Sequence, residues 1–142
     1  MITDDLTLKG RVIIRLNDEI IQEVDNLVVT AGKGYVASRM KDTTATAMSH
    51  MSVGTGNTTA AAGQTALVGE SARVALTSTT VSNAIVTYVG TFGAGVGTAT
   101  LNEAGIFNAS SGGTMLARVV FSGSISKGSS DSMTVTWSVT AG

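Results

Sequence analysis

Apolar residues recur at every second position over much of this chain. Leu6, Leu8, Val12, Ile14 and Leu16 fall on one side of an extended backbone, so residues 6–16 predict a strand. Asn17-Asp18 is a two-residue turn signal, because both side chains tolerate positive φ. Residues 19–30 return as a second strand whose register stays open. A two-residue loop opposes Ile14 to Ile21, and a three-residue bulged loop opposes it to Gln22. Ala31-Gly32-Lys33-Gly34 then breaks the strand. Residues 35–42 form the one helical stretch, with Tyr35, Val36, Arg39 and Met40 on one face. It is short, so packing must hold it, and it plugs one end of the core.

Further strands are predicted at residues 48–54, 72–80, 84–92, 101–108, 114–121 and 133–140. The last alternates strictly, with Met133, Val135, Trp137 and Val139 on one face. Ser82-Asn83 turns one hairpin, and residues 109–113 turn another. About eight strands with turn signals every 8–12 residues predict an all-β fold: one domain over residues 1–142, a β-sandwich or jelly-roll-like barrel with one short helix. No fixed repeat of the kind that builds a solenoid is present.

In the 114–121 hairpin, a four-residue loop over residues 109–112 would set Glu103 opposite Arg118, Gly105 opposite Leu116 and Phe107 opposite Thr114. The expectation is a cross-strand ion pair worth a few tenths to ~1 kcal/mol. The alternative is a contact from these two side chains to a neighbouring subunit.

Composition narrows the function. Charged residues are 13% against 43% hydrophobic, a balance that argues against disorder. Nine basic and ten acidic residues give a net charge of −1, so the cationic footprint of a nucleic-acid binder is missing. Zero cysteines exclude disulfide scaffolds, thiolate metal sites and thiol nucleophiles, and the single histidine excludes multi-histidine metal sites. No apolar run reaches the ~18 residues of a membrane span, and the first residues carry no signal-peptide pattern. With no proline and sparse charge to blunt strand edges, the surface invites self-association or a partner.

The candidate chemistry is thin. His50 lies between Ser49 and Met51 with no nucleophile elbow nearby, so it reads as a strand or contact residue. Six aromatic residues are too few for the sugar platform that a glycosidase carboxylate pair needs. Gly32 and Gly34 lack phosphate-loop spacing, and Gly93-Ala94-Gly95-Val96-Gly97 lacks the helix of a dinucleotide site. No cofactor, metal or small-molecule substrate is expected. The regular threonines fit a half-buried sheet surface, or a neutral surface that packs on a lattice.

Several stretches resemble small virion structural proteins of tailed bacteriophages. They are residues 26–33 (NLVVTAGK), 38–42 (SRMKD), 51–56 (MSVGTG), 101–109 (LNEAGIFNA), 113–118 (GTMLAR) and 132–137 (SMTVTW). Similar chains carry proline after the phenylalanine where Gly93 follows Phe92 here. The resemblance implies a capsid cement (decoration) protein or a tail or fibre accessory, made in the bacterial cytoplasm. The absence of a coiled-coil stalk, a collagen-like shaft and an aromatic receptor-binding cluster leans to cement on the capsid surface. Its expected partners are the major capsid protein and copies of itself, as dimer or trimer. The candidate contact residues are Thr55, Gly56, Asn57, Thr58 and Thr59 in the long loop, Gly93, Gly95 and Gly97 in the glycine link, and the N-terminal segment.

Overall fold

A computed structural model describes residues 6–41 and 46–142. Expectations placed on residues 1–5 and on Asp42 lie outside them. Ten strands and one helix follow in the order β1 (Leu8–Leu16), β2 (Glu19–Asp25), β3 (Leu27–Val28), α1 (Thr30–Lys41), β4 (His50–Gly54), β5 (Glu70–Ala75), β6 (Ser78–Ser82), β7 (Ile85–Phe92), β8 (Ala99–Phe107), β9 (Met115–Lys127) and β10 (Met133–Ala141). They build two antiparallel five-stranded sheets, ordered β2-β1-β10-β7-β6 and β3-β9-β8-β4-β5. The protein is an all-β sandwich. Neither sheet closes on itself, so the barrel alternative is discarded.

The period-two positions meet between the sheets. Val12 and Ile14 of β1 and Met133, Val135, Trp137 and Val139 of β10 face Met51, Val53, Leu101, Ala104, Ile106, Ala117, Val119 and Phe121 of the second sheet. Tyr88 of β7 also lies in this core, and burial beside Tyr35 pushes its hydroxyl up to about 12. Leu8 and Leu16 pack at the rim, whereas Leu6 precedes β1 and is exposed.

Asn17 and Asp18 both take positive φ, so the first turn has two residues as expected. Ile14 nevertheless faces Gln22, because a bulge between Ile14 and Arg15 shifts the ladder. The bulge sends the Gln22 side chain to the other sheet. Its Oε1 accepts from Ser122 N at 3.0 Å, and its Nε2 donates to the Gly123 carbonyl at 2.7 Å. At the same end of the molecule, Asn17 Nδ2 donates to Asp131 Oδ1 at 2.9 Å, joining the β1–β2 and β9–β10 turns. This bond, the Gly128 N–H and the Lys127 charge hold the Asp131 carboxyl below its usual range.

Four other expectations need correction. The second strand ends at Asp25 and pairs again only as the two-residue β3. The helix starts at Thr30, not Tyr35, and takes in both Gly32 and Gly34. Its buried residue is Gly32, while Tyr35 and Val36 pack on the core and Met40 is exposed. Residues 72–80 are not one strand. The chain leaves one sheet at Ala75 and enters the other at Ser78, and Leu76-Thr77 makes the crossing. The short β3 and this division of residues 72–80 account for ten strands where eight were expected.

Gly32 explains how α1 sits. A Cβ there would run into the backbone oxygen of Leu116, so only glycine lets the helix lie directly on β9. The helix lacks an acidic first turn. Its first N–H, Thr30 N, donates to Ala62 O at 2.9 Å, and Val29 N just before it donates to Leu116 O at 3.3 Å.

Candidate functional site

The strand β8 breaks the sandwich pattern. Residues 103–107 are all buried, so both of its faces are covered. One face meets the core. The other carries Glu103, Gly105 and Phe107, and the loop between β4 and β5 lies over it. Leu67 of that loop packs with Phe107, Met115 and Val29. A Cβ on Gly105 would come within 2.9 Å of Leu67 Cδ2, so glycine makes room for the loop.

Glu103 is the peg that holds this loop down. It is fully buried, and its carboxylate accepts four hydrogen bonds. Gly56 N donates to Oε2 at 2.9 Å, Gly69 N to Oε2 at 2.7 Å, Val68 N to Oε1 at 2.9 Å, and Arg118 Nε to Oε1 at 3.0 Å. Both ends of the loop, 55–56 and 68–69, thus converge on one carboxylate. The glycines follow from the crowding: a Cβ on Gly56 would lie 2.6 Å from Glu103 Oε2 and from Val68 Cβ.

Arg118, also fully buried, holds the middle of the loop. Its Nη1 donates to the Thr58 carbonyl at 2.8 Å and to Gln64 Oε1 at 3.2 Å. Gln64 returns Nε2 to the Thr59 carbonyl at 3.3 Å and accepts from Ala61 N at 3.1 Å. The charge of the pair is taken out of water, and each partner has further hydrogen bonds that offset this, although Arg118 Nη2 is buried without a partner.

The register beneath this pair is not the expected one. Arg118 stands opposite Gly105, and Glu103 opposite Val120. Phe107 faces Met115 rather than Thr114. The loop is longer than four residues, with Gly112 and Gly113 at positive φ and Thr114 N bonded to Asn108 Oδ1 at 2.7 Å. Glu103 and Arg118 are diagonal neighbours, two residues out of step, and long side chains close that gap. The pair lies inside the protein, not on its surface and not at a subunit contact.

The candidate contact residues separate by depth. Thr55, Asn57, Thr58 and Thr59 are exposed on the lid, beside exposed Val68, whereas Gly56 is tucked against Glu103. The glycine link joins β7 to β8 across the sandwich. Gly95 and Gly97 have positive φ, and buried Lys127 donates Nζ to the Gly93 carbonyl at 2.8 Å. Both segments are fastened from below by a buried charged side chain. Sequence reasoning named Glu103 and Arg118, placed Gln64 only within the contact loop, and missed Leu67 and Lys127. The clustering of Gly54, Gly56 and Gly69 around one carboxylate has no signature along the chain.

The catalytic alternatives gain nothing from the geometry. Ser49 Oγ lies 2.7 Å from His50 Nδ1, but no carboxylate completes the arrangement among the described residues. Nor do the described residues bring together three metal-ligating side chains. No described helix is long and apolar enough to cross a membrane. Arg73 stacks 3.8 Å from the Phe107 ring centroid, pairs with Glu70 at 2.7 Å, and bonds the Ala109 and Gly112 carbonyls. It ties the β8–β9 loop to β5.

The described residues thus form a sandwich with an outer face sealed by a pegged loop. The chain belongs to the phage tail-collar fibre protein N-terminal family, whose model matches residues 22–138. It is a phage virion structural protein. Among curated proteins and solved structures, none matches. The family supports the tail or fibre alternative and gives no support to the capsid-cement reading or to the major capsid protein as partner.

Proposed function

We propose that this protein is a non-enzymatic component of the phage tail-fibre apparatus, and that the lid over β8 is its docking platform for a neighbouring virion protein. The observation that carries the reading is the family match over most of the chain. The lid supports the second part. A contact surface gains affinity when it is already ordered, because little entropy is lost on binding. Here the Glu103 carboxylate and the Arg118 guanidinium order the loop from beneath, leaving Asn57, Thr58 and Thr59 to present neutral polar side chains outward. Such a surface meets another protein without desolvating a charge.

The test places charge on the platform without touching its supports. An Asn57→Asp, Thr58→Glu, Thr59→Glu variant keeps the Thr58 and Thr59 carbonyls and should fold normally. Its incorporation into virions, measured by mass spectrometry against a baseplate protein, is expected to fall. Undiminished incorporation would remove the lid from the docking surface.

A further inference from the structure

The sheet edges of this sandwich are not guarded equally. The β2 edge carries Glu19, Glu23 and Asp25, two of them paired with Arg11. The β5 edge carries the Glu70–Arg73 pair. The β3 edge is only two residues long. These are common devices against edge-to-edge pairing. The remaining edge, β6, has none of them. Its sequence is Ser-Thr-Thr-Val-Ser, uncharged, and all five residues are exposed.

The orientation of β6 is fixed by its turn. Ser82 pairs with Ile85 across Asn83-Ala84, so these two residues exchange both ladder bonds, as do Thr80 with Thr87 and Ser78 with Val89. The N–H and C=O groups of Thr79 and Val81 therefore point away from β7, into the open edge. Val81 lies on the core side of the sheet, beside Val86, yet is 70% exposed. The first sheet overhangs the second here and leaves an apolar side chain without cover.

We infer that β6 is the strand through which two copies of this chain pair, edge to edge and antiparallel, about a two-fold axis at Thr80. That axis sets Thr79 of each copy opposite Val81 of the other, which are the residues with free main-chain groups. It joins the two first sheets through about four main-chain hydrogen bonds. It brings Thr79 of one copy over the uncovered side of Val81 in the other. No charge opposes another in this register, whereas self-pairing of β2 would set its carboxylates against each other. The inference rests on the reading of the domain as an assembly component, but it can fail alone.

The absence of native cysteine makes the test clean. In the inferred register the two Thr80 residues form a non-hydrogen-bonded pair with Cα atoms ~4.5 Å apart, within the ~4.4–6.8 Å span of a disulfide. A Thr80→Cys variant should convert to covalent dimer under mild oxidation, and a Thr100→Cys control at the exposed start of β8 should stay monomeric. Wild-type protein should sediment at double the monomer mass at high concentration. A Thr79→Lys, Val81→Lys variant with an unchanged circular dichroism spectrum should lose that doubling. Equal crosslinking of the two cysteine variants, or a dimer that survives the lysines, would overturn the edge. Failure of the protein to enter virions at all would instead overturn the assembly reading.

Discussion

Glu103 carries more of this structure than an ion pair implies. Changing it to glutamine removes the charge facing Arg118 and turns an amide NH2 toward main-chain N–H donors. The expected loss is ~3–5 kcal/mol in urea unfolding, the range for breaking a buried pair. It should come with faster proteolysis between residues 55 and 69. A Glu103→Met, Arg118→Met double variant separates peg from pair. Where a buried pair stands alone, apolar replacement is often neutral. Here Gly56, Val68 and Gly69 would each lose an acceptor, at about 1–3 kcal/mol per orphaned group. The double variant should therefore remain well below wild type, and recovery to wild-type stability would show that the lid holds itself. The sequence made the partnership of Glu103 and Arg118 visible, since opposite charges on neighbouring strands attract. It did not make the burial visible, because alternation along β8 and β9 says nothing of a loop arriving from residues 55–69.

At the scale of the element, legibility depends on whether alternation faces one core. β10 shows the favourable case: each predicted inward residue, from Met133 to Val139, is buried. The two-residue turn at Asn17-Asp18 was also readable, since its chemistry is local. The bulge after it was not, because Gln22 is placed by Ser122 and Gly123, a hundred residues away. The helix shows the opposite failure. Its glycines read as breakers, yet Gly32 is there for the close approach to Leu116, a tertiary demand that overrides propensity. The two helical glycines should respond oppositely to alanine. Gly34→Ala meets open space and should raise stability by ~0.5–1 kcal/mol. Gly32→Ala must push the helix off β9 and should lower it by more than that. Thermal melts of both variants check the pair, and equal effects would contradict the packing.

For the whole molecule, composition led to the class, while the location it leaned to finds no support in the family match. Low charge, no cysteine and many short strands pointed to a neutral assembly domain, and the sandwich and the family agree. The missing stalk and aromatic cluster leaned to the capsid, although neither feature bears on where a compact domain attaches. Two surfaces carry the proposed assembly contacts. The lid is polar, exposed and fixed from beneath, and the β6 edge is uncharged where the other edges are guarded. The two sit on different sheets, so docking through one leaves the other open.

The most direct test of the account is the copy number of this protein in purified virions and in tailless heads from the same phage, by quantitative mass spectrometry against the major coat protein. A tail-fibre component should be present at a small fraction of the coat count in virions and lost from tailless heads. A count close to that of the coat protein, retained on heads without tails, would contradict the tail assignment and restore the capsid.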